Sequence, residues 1–343
     1  MKILCSISTK NRYDVLPMAI MSVANQVYSP NQLHLTVFDD NDEPKDLREM
    51  EMCRYAFQML DTKNISWDVK YGAKKGQHHN HQVANRLGYD FVWRLDDDCV
   101  PEPYTLSVLM AHMKDDVGAV GGHILTPPLP TITQLSQAYP NGFSSLIDDL
   151  DTKANLQWSP LISSYTSLPI EVDHLHCSFL YRAGIVDYDL RLSKKAHREE
   201  TMFTYSLKLK GYKILVAPCI TWHFKATAGG IRSDNDINDY QHDEWLFRKW
   251  LEFKKTGKKL FILNCGLGDH YMFMQSFKPD PNSVVACCYP DVMTGWDTIS
   301  IADAWNLDDI EHYNVYAWAA KNNWKGSMVD AFRRFYEDFN RTR

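Results

Sequence analysis

No stretch of the 343-residue chain approaches the ~20 consecutive apolar residues that a membrane-spanning helix needs. The opening residues, Met1-Lys2-Ile3-Leu4-Cys5, enter a β-type run without the basic-then-apolar pattern of a secretory leader. The eight cysteines, at 5, 53, 99, 177, 219, 265, 287 and 288, make no C-x-x-C pair and keep no regular spacing. That argues against a disulfide framework and predicts reduced thiols in a cytoplasmic protein. Basic charge is not in excess: 37 Lys and Arg against 43 Asp and Glu leave a net charge of −6, so no global attraction to a polyanion is built in. Internal repeats and low-complexity tracts are absent as well. What is present is 45% hydrophobic content, enough to bury one large core or two smaller ones.

The chain is organised around Phe91-Val92-Trp93-Arg94-Leu95-Asp96-Asp97-Asp98-Cys99. An apolar run that stops abruptly in three carboxylates reads as a buried strand whose C-terminal end opens into a polar crevice, where open α/β sheets bind ligands. Three adjacent like charges repel and raise one another's pKa, so such a cluster belongs on a solvated surface or around a cation. The bland alternative is an acidic turn that caps the next helix.

The rest of the chain repeats the strand–acid pattern. A strand at 2–8 breaks at Thr9-Lys10-Asn11-Arg12, and a helix follows over about 13–27. A second strand at 33–38 ends in Asp39-Asp40-Asn41-Asp42, and a helix at 46–61 leads to a strand near 65–71. After 117–124 comes a Pro-, Thr- and Ser-rich stretch from 126 to about 170, read as a substrate-shaping insertion. Strands are expected at 175–182, 213–217 and 220–224, with Pro218 between the last two, and a helix from Glu199 is closed by Gly211. Alternating strands and helices predict an α/β fold with a largely parallel sheet. The run 254–259, Lys-Lys-Thr-Gly-Lys-Lys, is a basic hinge. The expected organisation is a larger domain at 1–235, a linking helix and hinge at 236–256, and a small α/β domain at 257–343.

In order and spacing, these strand-end motifs resemble the GT-A fold of inverting nucleotide-sugar glycosyltransferases, family 2, over about residues 1–235. Ile7-Ser8-Thr9-Lys10-Asn11-Arg12 and Val37-Phe38-Asp39-Asp40-Asn41 look like the family's two nucleotide-contacting strand ends. Leu95-Asp96-Asp97-Asp98 stands where the family has its metal-binding D-x-D. Glu199-Glu200-Thr201, then Gly211-Tyr212, Pro218 and His223, follow the family's acidic pair, helix, Gly-Tyr, Pro and His series. The family usually carries Glu-Asp where this chain has Glu199-Glu200. The resemblance implies a Rossmann-like catalytic domain and a divalent cation, Mn²⁺ or Mg²⁺. It also implies a nucleotide-sugar donor, UDP-linked in the first instance.

The chemistry of those residues points the same way. A nucleotide diphosphate leaving group carries negative charge that a carboxylate-held cation neutralises, with Asp98 as first ligand and Asp96 as second. His223 is either a third ligand, favouring Mn²⁺, or a half-buried strand-end histidine. A separate carboxylate must take the acceptor hydroxyl's proton: Glu200 fits, while Glu199 is the donor-side or dipole-pairing acid of the same helix start. Asp39, with Thr9 and Arg12, is expected to bind the nucleotide, unless Asp39 only caps a helix. Asp96 and Asp97 are expected to contact the donor, and Lys225 and Arg232 to close on its diphosphate or to be solvated loop charges. The acceptor implied by the resemblance is a glycan or similar hydroxyl compound, and the 1–235 domain is expected to be catalytic with 257–343 contributing to acceptor binding. Basic clusters at Lys194-Lys195-His197-Arg198 and over 248–259 leave a hydroxymethylated base in DNA as an alternative acceptor. A non-catalytic nucleotide-sugar or glycan-binding module is the third reading.

Overall fold

The structure is a computed structural model and describes residues 1–127, 168–224, 230 and 237–341. Lys225, Arg232 and most of the expected substrate-shaping insertion lie outside the described residues. The chain divides into two compact units, Met1–Asp243 and Glu244–Arg343.

The first unit is built on strands β1 (Ile3–Thr9), β2 (Leu33–Asp39), β3 (Ser66–Tyr71), β4 (Phe91–Asp96), β5 (Cys99–Pro101), β6 (Val117–Leu125), β7 (Ile170–Val172), β8 (Phe179–Arg182) and β9 (Lys213–His223). Their order is β3-β2-β1-β4-β8-β6-β9-β5, with β7 also on β9. The pairs β1–β2, β2–β3, β1–β4 and β6–β9 are parallel; those of β8 with β4 and β6, and of β9 with β5 and β7, are antiparallel. β4 is central and covered on both faces, which is why it reads as a continuous apolar run. Phe91, Trp93 and Leu95 join the core that holds Ile3, Ile7 and the helix Leu16–Ala24, whereas Val92 faces the core of Phe179, Tyr181 and Phe203. Period-two alternation therefore turns Arg94 and Asp96 to that second face.

Two sequence expectations are corrected in detail. The span 175–182 is extended only from Phe179, and a separate strand precedes it at Ile170–Val172. Pro218 does not end a strand: β9 runs through it as one eleven-residue element. Its register against β6 jumps from Gly121↔Val216 to His123↔Ile220, an irregularity that accommodates a residue with no N–H to give the ladder.

The helix Glu199–Leu209 ends as the sequence predicts. Gly211 has φ +90°, its N–H donates to Lys208 O at 2.9 Å, and Tyr212 N–H donates to Leu207 O at 3.2 Å, the paired bonds of a Schellman motif. A Cβ on Gly211 would meet no atom within 4 Å, so Gly211→Ala isolates the backbone strain. We expect a loss of about 1 kcal/mol in chemical denaturation. An unchanged midpoint would mean that the turn relaxes freely.

The second unit carries an all-parallel four-stranded sheet among the described residues: β10 (Lys259–Leu263), β11 (Ser283–Cys287), β12 (Asp297–Ser300) and β13 (His312–Tyr313), in the order β12-β11-β10-β13. Its core is aromatic, with Phe261 in ring contact with Phe273, Phe277, Trp296, Phe335 and Phe339. Gly266-Leu267-Gly268-Asp269 opens the helix Leu267–Ser276 directly. Among the described residues, no helix is long and apolar enough to cross a membrane.

Candidate active site

Parallel register brings the strand-end residues together. Thr9 of β1 lies opposite Asp39 of β2, and Ser8 opposite Asp96 of β4, so three neighbouring strands end side by side in oxygen-bearing groups. Asp97 and Asp98 form the two-residue turn between β4 and β5. Thr9 Oγ1 donates to Asp97 Oδ2 at 2.8 Å, and Arg12 Nη1 bridges Asp97 Oδ1 at 3.1 Å and Asp98 Oδ2 at 2.9 Å. Burial pushes the Asp97 carboxyl up to about 7, against the pull of Arg12. Burial also opposes the Arg12 charge, but Asp97 and Asp98 outweigh it and raise its pKa. Gly230 seats on this arginine: its N–H donates to Lys10 O at 2.7 Å, and a Cβ there would strike the guanidinium at 2.6 Å.

On the other side of the turn, β9 delivers His223. Its Nε2 stands 3.4 Å from Asp98 Oδ1, a separation two ligands of one ion can share. Asp98, Cys99 and His223 form one group able to surround a cation; Asp96, Cys177 and Glu200 form another. The carboxylates of Asp96, Asp98 and Glu200 and the His223 imidazole are donors that suit Mn²⁺ or Mg²⁺, the ions the sequence implies, whereas the sulfurs of Cys99 and Cys177 add little for such hard ions.

Arg94 is the organiser that sequence reasoning missed. Fully buried, its Nη2 donates to Asp96 Oδ1 at 3.2 Å, Glu199 Oε1 at 3.0 Å and Glu200 Oε1 at 3.1 Å. Burial opposes the guanidinium charge, yet the three carboxylates hold its pKa well above the ordinary value. Asp96 is nonetheless raised, by burial first, with Glu200 and Asp98 adding to it. Glu199 is buried and also accepts from Gln77 Nε2; Glu200 Oε1 accepts the Cys177 N–H at 3.2 Å. The signal for Arg94 was a lone charge inside an apolar strand, which can be kept only by partners arriving from elsewhere in the fold.

Asp39 is fully buried and already engaged. Tyr13 Oη donates to its Oδ2 at 2.7 Å, and both the backbone N–H and the side-chain amide of Asn41 donate to Oδ1. Burial first, then this bond, pushes the Tyr13 phenol up to about 12. Tyr13 and Asn41, the partners of Asp39, border a cavity of about 900 Å³ lined also by Asn11, Asp42, Lys45 and Met50. In the run His78-His79-Asn80-His81, His78 and His81 are buried in the helix Gln77–Asn85, and burial drives His78 down to about 3.

Several members of the basic clusters are buried or held in ion pairs. Lys195 is fully buried. Within 248–259, Arg248 pairs with Glu244, Lys249 with Glu252, Lys254 with Asp309, and Lys258 with Glu252 and Asp297.

Residues 5–159 match glycosyl transferase family 2. A search of curated proteins found no significant match. Among solved structures, S. aureus TarS is similar with a TM-score of 0.47 and 14% identity, over 80% of this chain and 42% of its own. GalNAc-T7, solved with UDP, GalNAc and Mn²⁺, is similar with a TM-score of 0.50 and 12% identity, over 74% of this chain and 50% of its own. The chain thus spans half or less of the length of these two solved proteins. The likeness to GalNAc-T7 is one of fold: a GT-A-like sheet, mixed and mostly parallel, followed here by a smaller α/β region with its own sheet.

Proposed function

With a family 2-like glycosyltransferase domain on a GT-A-like fold as premise, we propose that the protein moves a sugar from a nucleotide diphosphate, UDP in the first instance, to an acceptor hydroxyl with inversion. The observation that carries this reading is the convergence of two acidic groups on one strand end: Asp98 with His223 on one side, and Glu200 beside Asp96 on the other. Asp98, Asp96 and His223 would hold Mn²⁺ or Mg²⁺, which supplies positive charge to the departing diphosphate. Arg12 adds a fixed cation at Asp97 and Asp98. Glu200 takes the acceptor's proton while Arg94 and the Cys177 N–H fix one of its oxygens. Glu199, deeper and bound to Arg94 and Gln77, supports that geometry.

Hydrolysis of a panel of UDP-, GDP- and ADP-sugars in Mn²⁺ tests the reading. We expect one donor to be cleaved and EDTA to stop the reaction. No cleavage of any donor would overturn it. Asp98→Asn removes one charged ligand oxygen and should raise the Mn²⁺ concentration for half-maximal activity by about tenfold; an unchanged value would remove Asp98 from the ion's ligands.

Asp39 is proposed to position the nucleotide through Tyr13 and Asn41, since both of its oxygens already accept bonds from them. Asp39→Ala would strand a tyrosine hydroxyl and an amide, at about 1–3 kcal/mol each if they stay dry. The cleaner variant is Asp39→Asn, for which calorimetry should find donor affinity down by about tenfold, the cost of roughly one hydrogen bond to a charged group. Unchanged affinity would confine Asp39 to a structural role.

A further inference from the structure

Beside the proposed ion position lies a thiol that sugar transfer does not use. Cys99 opens β5 and is paired directly with His223 across the antiparallel β5–β9 ladder, so both side chains leave the same face. Asp98 precedes Cys99 in the chain, and one ligand atom from each of Asp98, Cys99 and His223 lies within 4.8 Å of the others. The 3.4 Å between Asp98 Oδ1 and His223 Nε2 is also about the edge of a tetrahedron whose ligands stand about 2.1 Å from its centre. An oxygen, a nitrogen and a sulfur so placed make a mixed donor set that hard and soft cations would use differently.

We propose that Asp98, Cys99 and His223 form a three-ligand site for a thiophilic divalent cation, represented by Zn²⁺, which competes with the hard ion of transfer. The proposal rests on reading Asp98 and His223 as ion ligands. Mn²⁺ and Mg²⁺ gain little from sulfur, so with them Cys99 stays a thiol; burial pushes its pKa up to about 11. Zn²⁺ forms a Zn–S bond as the S–H bond breaks, the proton leaving to solvent with no change of oxidation state. The Cys99 and Cys177 side chains are hydrogen-bonded to each other. Three protein ligands leave one position open, the arrangement of a zinc site that still admits water or substrate. Captured by Zn²⁺, Asp98 and His223 are withdrawn from Mn²⁺, and transfer is inhibited.

Co²⁺ titration of the full chain, without donor, provides the probe. We expect a near-ultraviolet thiolate-to-Co²⁺ charge-transfer band that Zn²⁺ bleaches, that is lost in Cys99→Ser and Cys99→Ala, and that is retained in Cys177→Ser. Zn²⁺ should displace Mn²⁺, followed by the Mn²⁺ paramagnetic signal, at least tenfold less effectively from Cys99→Ser. Circular dichroism verifies that each variant is folded. Co²⁺ binding without the band, no Co²⁺ binding, or a band that survives in either Cys99 variant overturns the proposal. Should only one Cys99 variant fold, that one decides. A band with no transfer to any acceptor would refute the glycosyltransferase reading and leave this site standing; Mn²⁺-dependent donor cleavage without a band does the reverse.

Discussion

Glu200→Gln should abolish sugar transfer while leaving donor and ion binding nearly intact. The substitution keeps the length and shape of the side chain and its acceptor oxygen toward Arg94 Nη2 and the Cys177 N–H, but removes the basicity. An attacking hydroxyl that loses its general base loses about 10²–10⁴-fold in rate. The fall should appear in kcat and in kcat/KM equally, since the proton moves only in the transition state. Glu199→Gln should be milder, because that side chain is enclosed by Arg94 and Gln77. A dead Glu199→Gln beside an active Glu200→Gln would exchange the two roles. Full activity in both would remove the helix start from the chemistry.

Arg94→Met should be the most damaging change to stability. One buried nitrogen serves Asp96, Glu199 and Glu200, and removing it leaves three carboxylates without their cation in a region walled by Phe179, Tyr181 and Phe203. Breaking a buried ion pair from one side costs about 3–5 kcal/mol, several times what an exposed pair contributes. The pH dependence follows from the sign of the shift. Asp96 is raised by burial even with Arg94 present, and without the guanidinium its folded-state pKa should rise further above its unfolded value. Such a group costs nothing below the unfolded pKa, and the penalty grows as pH climbs through the window between the two values. The deficit of Arg94→Met against the native protein, from chemical denaturation, should therefore be larger at pH 7 than near pH 4. A deficit independent of pH would mean that lost packing, not charge, dominates. Arg94→Lys, which restores one cation without the planar fork, should recover part of the loss.

Local patterning determined much of the first unit. Each strand that ends in Thr9, Asp39 or Asp96 is an apolar run closed by polar residues, and each helix between them has its own spacing of buried positions, so strand, helix and acid could be placed from neighbours in the chain alone. Gly211 was legible for the same reason, because a left-handed residue after a helix is a local demand. The second sheet was legible too, since strand and helix periods resume after the lysine-rich run. Tertiary structure alone decided what depends on residues far apart in sequence. Arg94 gathers Asp96 from its own strand and Glu199 and Glu200 from a helix more than a hundred residues on. Tyr13 reaches Asp39 across two strand ends, and Cys99 meets His223 only because β5 pairs with β9. Pro218, a local stop signal, was overridden because the β6–β9 ladder is long enough to absorb one irregularity. A buried charge or thiol acquires its chemistry from partners that the fold supplies, and the identity of those partners depends on register between strands, which local periodicity does not encode.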